Sequence, residues 1–190
     1  MKGQGRCIIF SAPSGAGKTT IVRHLLEKDL GLRFSVSAAT RKQRDHEVNG
    51  KDYHFMTEAE FKELVEIGAF VEWEEVYPGH YYGTLKSEIQ RIWNEGFHPI
   101  FDVDVVGGLD LKAAFGDNAL AIFVAPPSME TLSARLRDRA TESVENLELR
   151  LKKAAHEMSY ADLFDVVILN DTLDRACAEA CDLVERFLGK

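Results

Sequence analysis

The sequence predicts an α/β fold: a parallel five-stranded sheet flanked by helices, with smaller segments inserted into it. Three observations predict it. An unbroken apolar run, CIIF at 7–10, leads straight into a glycine-bearing loop, SAPSGAGKTT at 11–20. Further strand-like runs follow at Phe34–Ala38, Ile100–Val105, Leu120–Val124 and Val166–Leu169. Helical patterns separate most of these runs, and continuously apolar strands alternating with helices belong to sheets buried on both faces.

The first strand-like run and the loop form one unit. The pattern for a phosphate-cradling loop is G-x-x-x-x-G-K-[ST] between a strand and a helix. Gly17, Lys18 and Thr19 satisfy its last three positions, and Ala12 stands at the first. Ile21, Val22, Leu25 and Leu26 then recur at helical spacing. Backbone N–H groups from Ser14, Gly15, Ala16, Gly17 and onward to Thr20 would turn toward a polyphosphate, aided by the helix dipole. Lys18 would reach its β- and γ-phosphates, and the Thr19 hydroxyl would ligate Mg²⁺. Such a loop serves GTPases, motors and kinases alike.

After the second strand-like run comes a charged loop, TRKQRDHEVNG at 40–50, with Asn49-Gly50 as a turn signal. Thr57 and Glu60 form a capping box, Gly68 marks the end of the helix it opens, and Phe61, Leu64 and Val65 supply its apolar stripe. FVEWEEV and HYYGT read as short strands of a small inserted lobe. Ile100–Val105 carries Asp102 and Asp104 toward its end. Beyond Leu120–Val124, Pro126-Pro127 breaks the strand and Ser128 caps a helix. The polar stretch that follows, with Arg135, Arg137, Arg139 and Arg150, reads as a mobile lid at the mouth of the sheet. A last helix places Cys177 and Cys181 among Leu173, Ala176, Ala180, Val184 and Leu188, as core residues.

Bulk properties narrow the function. The chain has 190 residues, 45% of them hydrophobic, enough for a substantial core in one domain. Net charge is −8 and the pI about 5.3, which argues against a nucleic-acid or anionic-membrane surface. No apolar run approaches transmembrane length, and Met1–Arg6 does not resemble a signal peptide. The cysteines make an odd count without metal spacing, which fits a reducing cytoplasmic setting, and the histidines are scattered. No interface stripe stands out, which leaves a homo-oligomer open.

A kinase needs a second anion site facing the first. Arg41 and Arg44 sit three apart after a strand, with Tyr53 across the turn, and two guanidinium forks suit a phosphate monoester. Alone, these two arginines read more readily as solvated surface charge. In order along the chain, however, stand SAPSGAGKTT, TRKQRDHEVNGKDYHF, FVEWEEVYPGHYYG, FDVDVVG, FVAPPSMETLSARLRDRATES and VILND. Together they resemble the guanylate kinase family from about Cys7 to the C-terminus.

The resemblance implies a P-loop NTPase core at about 1–36, 88–127 and 161–190, a GMP-binding lobe at about 37–87 and a lid at about 128–160. It implies transfer of the γ-phosphoryl of ATP to GMP, and to dGMP, in purine metabolism and GMP recycling. Arg41, Arg44, Tyr53 and Tyr82 would hold the GMP phosphate, while Ser37, Glu72 and Thr84 read the guanine edge. Glu72 alone would pass for a solvated strand carboxylate, and only the motif singles it out. Asp104 would face GMP, and Asp102 would support Mg²⁺ through water. Lys18, Arg41, Arg135, Arg139 and Arg150 would carry catalysis, the last three over the ATP phosphates, with Asn170 near adenine. Ala12, Ala38, Ala39, Val106 and Ala140 depart from the family pattern, but none removes a group assigned to phosphate or guanine. The rival readings are a kinase for another phosphomonoester, such as AMP or a sugar phosphate, and a non-catalytic peptide-binding module.

Overall fold

The computed structural model describes residues 5–138 and 144–190. The main sheet contains five parallel strands: β1 (Cys7–Ser11), β2 (Leu32–Phe34), β7 (His98–Asp102), β8 (Ala119–Ala125) and β9 (Val166–Leu169), in the spatial order β2-β7-β1-β8-β9. β1 and β8 are buried along their whole lengths. Period-2 alternation splits their side chains between two cores. Ile8 and Phe10 pack with Ile122 and Val124 against α1 (Lys18–Leu26) and α7 (Leu173–Leu188). Cys7, Ile9 and Phe123 face the other way, with Ile89 of α3 (Lys86–Asn94) and Leu111 and Phe115 of α4 (Val105–Phe115). Helices therefore cover both faces, as continuously apolar strands require.

Two of the expected strands differ from their runs by more than one residue at an end. The run Phe34–Ala38 is not one strand: β2 ends at Phe34, and β3 (Ala38–Ala39) belongs to a second sheet. The chain is drawn out of the main sheet at Val36, whose N–H donates to Glu88 Oε1 at 3.3 Å. The run Ile100–Val105 stops at Asp102 because Asp104 turns to cap α4, accepting from the Gly107 N–H at 2.8 Å.

The second sheet has the order β4-β3-β6-β5, with β4 (His54–Phe55), β5 (Phe70–Tyr77) and β6 (His80–Leu85). Its covering helix α2 (Glu58–Glu66) has the full Thr57–Glu60 capping box. Phe61 of α2 stacks on Phe70 at 4.4 Å between centroids and lies 5.5 Å from Tyr81, which gives this sheet a core of its own. The remaining pair, α5 (Met129–Asp138) and α6 (Val144–Met158), closes on a small cluster of Leu132, Leu136 and Ala154. Ser128 caps α5, accepting from the Thr131 N–H at 3.1 Å.

Candidate active site

A cleft of about 430 Å³ opens where the carboxyl ends of β1 and β7 face the second sheet. In parallel α/β sheets, ligands gather at the carboxyl ends of the strands. One wall is the loop after β1. Gly15 and Gly17 adopt φ of +92° and +98°, a left-handed backbone that a side chain would strain. A Cβ on Gly17 would also lie 2.3 Å from Asn170 Nδ2. Ala12, at the position that departs from the motif, is simply buried against the core.

Lys18 and Thr19 open α1 and point at β7. Lys18 Nζ donates to the Asp102 carboxylate and to the Val103 carbonyl, the latter at 2.8 Å. The Thr19 hydroxyl donates to Asp102 Oδ2 at 2.8 Å. Loop and strand thus bring an ammonium, a hydroxyl and a carboxylate to one point. Asp102 is the β7 group expected beside a metal.

The helical pair reaches the same loop from above. Arg150 of α6 donates to the Ser14 hydroxyl, and Arg135 of α5 donates to the Asn170 carbonyl at 3.0 Å. Arg137 is exposed. Arg139, expected in this group, lies outside the described residues. Asn170 is buried behind the loop, not on the cleft wall, and its Nδ2 donates to the Ala16 carbonyl at 2.7 Å. It braces the loop from behind.

The opposite wall holds Ser37, Tyr53, Glu72, Tyr82 and Asp104. Thr84, fully buried, donates its hydroxyl hydrogen to Glu72 Oε1 at 2.5 Å. Burial pushes the Glu72 carboxyl up to about 7, the Thr84 bond opposes that rise, and Asp104 and Asp110 add to it. Gly107 makes room for this carboxylate, since a Cβ there would lie 3.1 Å from Glu72 Oε2. Glu74 shares a hydrogen bond with Asp104, which raises the Glu74 carboxyl, and its partial burial adds to the rise.

Arg41 and Arg44 do not line the cleft. Arg41 lies beside it, its guanidinium 4.8 Å from the Tyr53 ring centroid and 5.3 Å from that of Phe55. It is gripped by Glu47, with Nη1 donating to Oε2 at 2.6 Å and Nη2 to Oε1 at 2.5 Å. Arg44 is exposed. Sequence reasoning missed Glu47, and it missed Glu74, Lys153 and Glu157, which line the cleft. The i,i+4 spacing of Lys153 and Glu157 on a helix near the lid arginines was the available signal for the last two.

The cleft wall therefore carries Lys18 and Lys153 against Glu72, Glu74, Asp102, Asp104 and Glu157. Among the described residues, no group of three or more His, Cys, Asp or Glu is arranged to hold a metal by itself. No described helix is long and apolar enough to cross a membrane.

Known proteins match this chain over nearly its whole length. Residues 4–187 match the guanylate kinase family. The guanylate kinase of Bacteroides thetaiotaomicron is 47% identical over 186 residues, covering 98% of this chain and 91% of its own. That of Porphyromonas gingivalis is also 47% identical over 186 residues, covering 97% and 99%. Among solved structures, the crystal structure of guanylate kinase from Anaplasma phagocytophilum superposes with a TM-score of 0.78 at 30% identity, over 98% of this chain and 87% of that one. By sequence and by fold alike, the chain belongs to the guanylate kinase family.

Proposed function

We propose that this protein transfers the γ-phosphoryl group of ATP to GMP, giving ADP and GDP, with the donor on the loop after β1 and the acceptor against the second sheet. The observation that carries this reading is the Glu72–Thr84 pair in the wall opposite the phosphate loop. Guanine presents N1–H and an exocyclic NH₂ side by side, and one ionised carboxylate accepts from both. With one lone pair of Oε1 taken by Thr84, the Glu72 carboxylate keeps ample acceptor capacity and a fixed orientation. Adenine offers an acceptor at N1 and no 2-amino group, which would leave the buried carboxylate unpaired. Hydrogen-bonding sites of this kind discriminate by about 10⁴. The ribose 2′-OH plays no part in that recognition, so dGMP is an acceptor as well.

The attacking oxygen belongs to a phosphate already anionic near neutral pH, so no strong general base is needed. Catalysis is alignment together with neutralisation of charge on the transferring group. Backbone N–H groups of Ser14–Thr20 and the Lys18 ammonium hold the β- and γ-phosphates. Arg135 and Arg150, already against the loop and Asn170, cover the donor from the lid segment 128–160, and Arg139 joins them. Tyr53, Tyr82, Arg41 and Arg44 hold the acceptor phosphate, with Ser37 beside the base and Asp104 on the acceptor side. Closing the lid and the lobe at 37–87 over the core excludes water, the competing acceptor.

Mg²⁺ fits the donor side. Thr19 and Asp102 offer a hydroxyl and a carboxylate 2.8 Å apart, hard oxygen donors of the kind this cation takes alongside substrate phosphates and water. The carboxylate excess in the cleft also favours a polyphosphate that arrives with its own cation. When bound, the metal neutralises charge on the β- and γ-oxygens. The odd cysteine count without metal spacing favours a cytoplasmic enzyme.

A coupled ADP-release assay over GMP, dGMP, AMP, IMP and dCMP, with and without Mg²⁺, tests the reading. GMP and dGMP should be turned over far faster than the rest, and only with Mg²⁺. Equal rates with AMP would overturn it.

A further inference from the structure

Within residues 42–50, an otherwise exposed loop, Glu47 alone is buried. A carboxylate in that place needs partners, and it has several. Its two oxygens take the end-on edge of the Arg41 guanidinium at 2.6 and 2.5 Å. Oε2 also accepts from the Arg44 N–H at 2.9 Å, while the Glu47 N–H donates to the Arg44 carbonyl at 3.0 Å. One side chain therefore ties the head of Arg41 to the backbone of Arg44. Charge-assisted bonding to Arg41 holds the Glu47 carboxyl down at about 2, so it stays ionised throughout the working pH range.

A guanidinium has five N–H donors in a planar fork. Glu47 takes one hydrogen from each Nη, and the Lys42 carbonyl accepts from Nη1 at 3.2 Å. That leaves the side edge, Nε–H with the second Nη2–H, which forms a further parallel fork of the kind that binds phosphate. The Tyr53 and Phe55 rings, 5.6 Å apart between centroids, pack together on one side of the same guanidinium, which limits its movement.

We infer that Glu47 is a positioning residue for phosphorylated acceptors: it occupies the outer edge of Arg41, fixes the spacing of Arg41 and Arg44, and presents the remaining edge of Arg41 to the acceptor phosphate. This rests on the reading of Arg41 as a phosphate ligand. Glu47 itself touches no substrate. Its loss acts on the phosphate alone, not on the base, because Glu72 and Thr84 sit on other strands.

The test compares wild type with Glu47→Gln, which keeps the shape, and Glu47→Asp, which keeps the charge. Steady-state constants for GMP and ATP are measured alongside inhibition by guanosine, which has the base and no phosphate. Glu47→Gln should raise the KM for GMP by about tenfold or more, as expected for a misplaced charge-assisted fork. The KM for ATP and the inhibition constant for guanosine should stay within about twofold. Glu47→Asp should recover part of the loss. Thermal melts establish that each variant is folded at the assay temperature. An unchanged KM for GMP, a lowered one (Glu47 competing with phosphate), or guanosine inhibition weakened in parallel would each overturn the inference. Absence of GMP-dependent turnover in the wild type would instead overturn the underlying reading.

Discussion

The Thr84 hydroxyl donates to Glu72 Oε1 at 2.5 Å, from a fully buried position on the neighbouring strand. This bond lowers the pKa of a carboxyl that burial raises, and burial wins, leaving it at about 7. Guanine recognition needs the ionised form, so affinity rises with pH through that value. Between pH 8 and pH 6, binding should weaken by about tenfold, one decade for the single proton taken up. Guanosine is the ligand to measure, because its binding is free of the phosphate titration near pH 6. A guanosine inhibition constant that is flat from pH 6 to 8 would contradict the assignment.

The same carboxyl costs stability. Its folded pKa, about 7, lies above the ordinary glutamate value of 4.5, so the native state holds the proton more tightly than the unfolded chain. Stability from this group is fully present below about 4.5 and is lost as pH rises through 7. Glu72→Gln should therefore melt at a higher temperature than wild type at pH 8, by a few degrees for about 1–2 kcal/mol. The difference should shrink toward pH 5, and the variant should lose GMP binding. Thermal melts at the two pH values check this.

Lys18 reaches both Asp102 at the end of β7 and Val103 just after it, yet stands apart from the wall that carries Glu72. Lys18→Ala should lower kcat by about 10³ or more, as loss of a charge on the transferring group implies. GMP binding measured by calorimetry should remain largely intact. Near-normal kcat would remove Lys18 from the mechanism.

Much of the architecture was legible because its cause is local. CIIF is apolar at every position, and β1 is buried at every position. Thr57 and Glu60 cap α2 as their spacing requires. The division of 34–38 between two sheets was not legible, since it depends on Glu88, fifty-two positions from Val36. The limits of β7 were set by a capping bond of Asp104 that competes with strand pairing. In the site, motif residues such as Lys18, Glu72 and Asp102 do line one cleft. Glu47 escaped notice because a glutamate in a run of charges looks solvated until its guanidinium partner folds over it.

Phe61 holds the second sheet together through Phe70 and Tyr81. Phe61→Ala should destabilise that sheet by about 3–5 kcal/mol. Because the cluster is separate from the two cores of the main sheet, the loss should be local. Amide exchange should accelerate in β5 and β6 while β1 and β8 stay protected. Uniform acceleration across both sheets would show that they unfold together.

The central claim is that the phosphoryl group of ATP goes to a guanine nucleotide and not to water. ³¹P NMR of the protein with ATP, Mg²⁺ and GMP follows every phosphorus at once. The account predicts ADP and GDP appearing in equal amounts, with inorganic phosphate negligible and no ATP consumed until GMP is added. Inorganic phosphate accumulating at the same rate with or without GMP would contradict it.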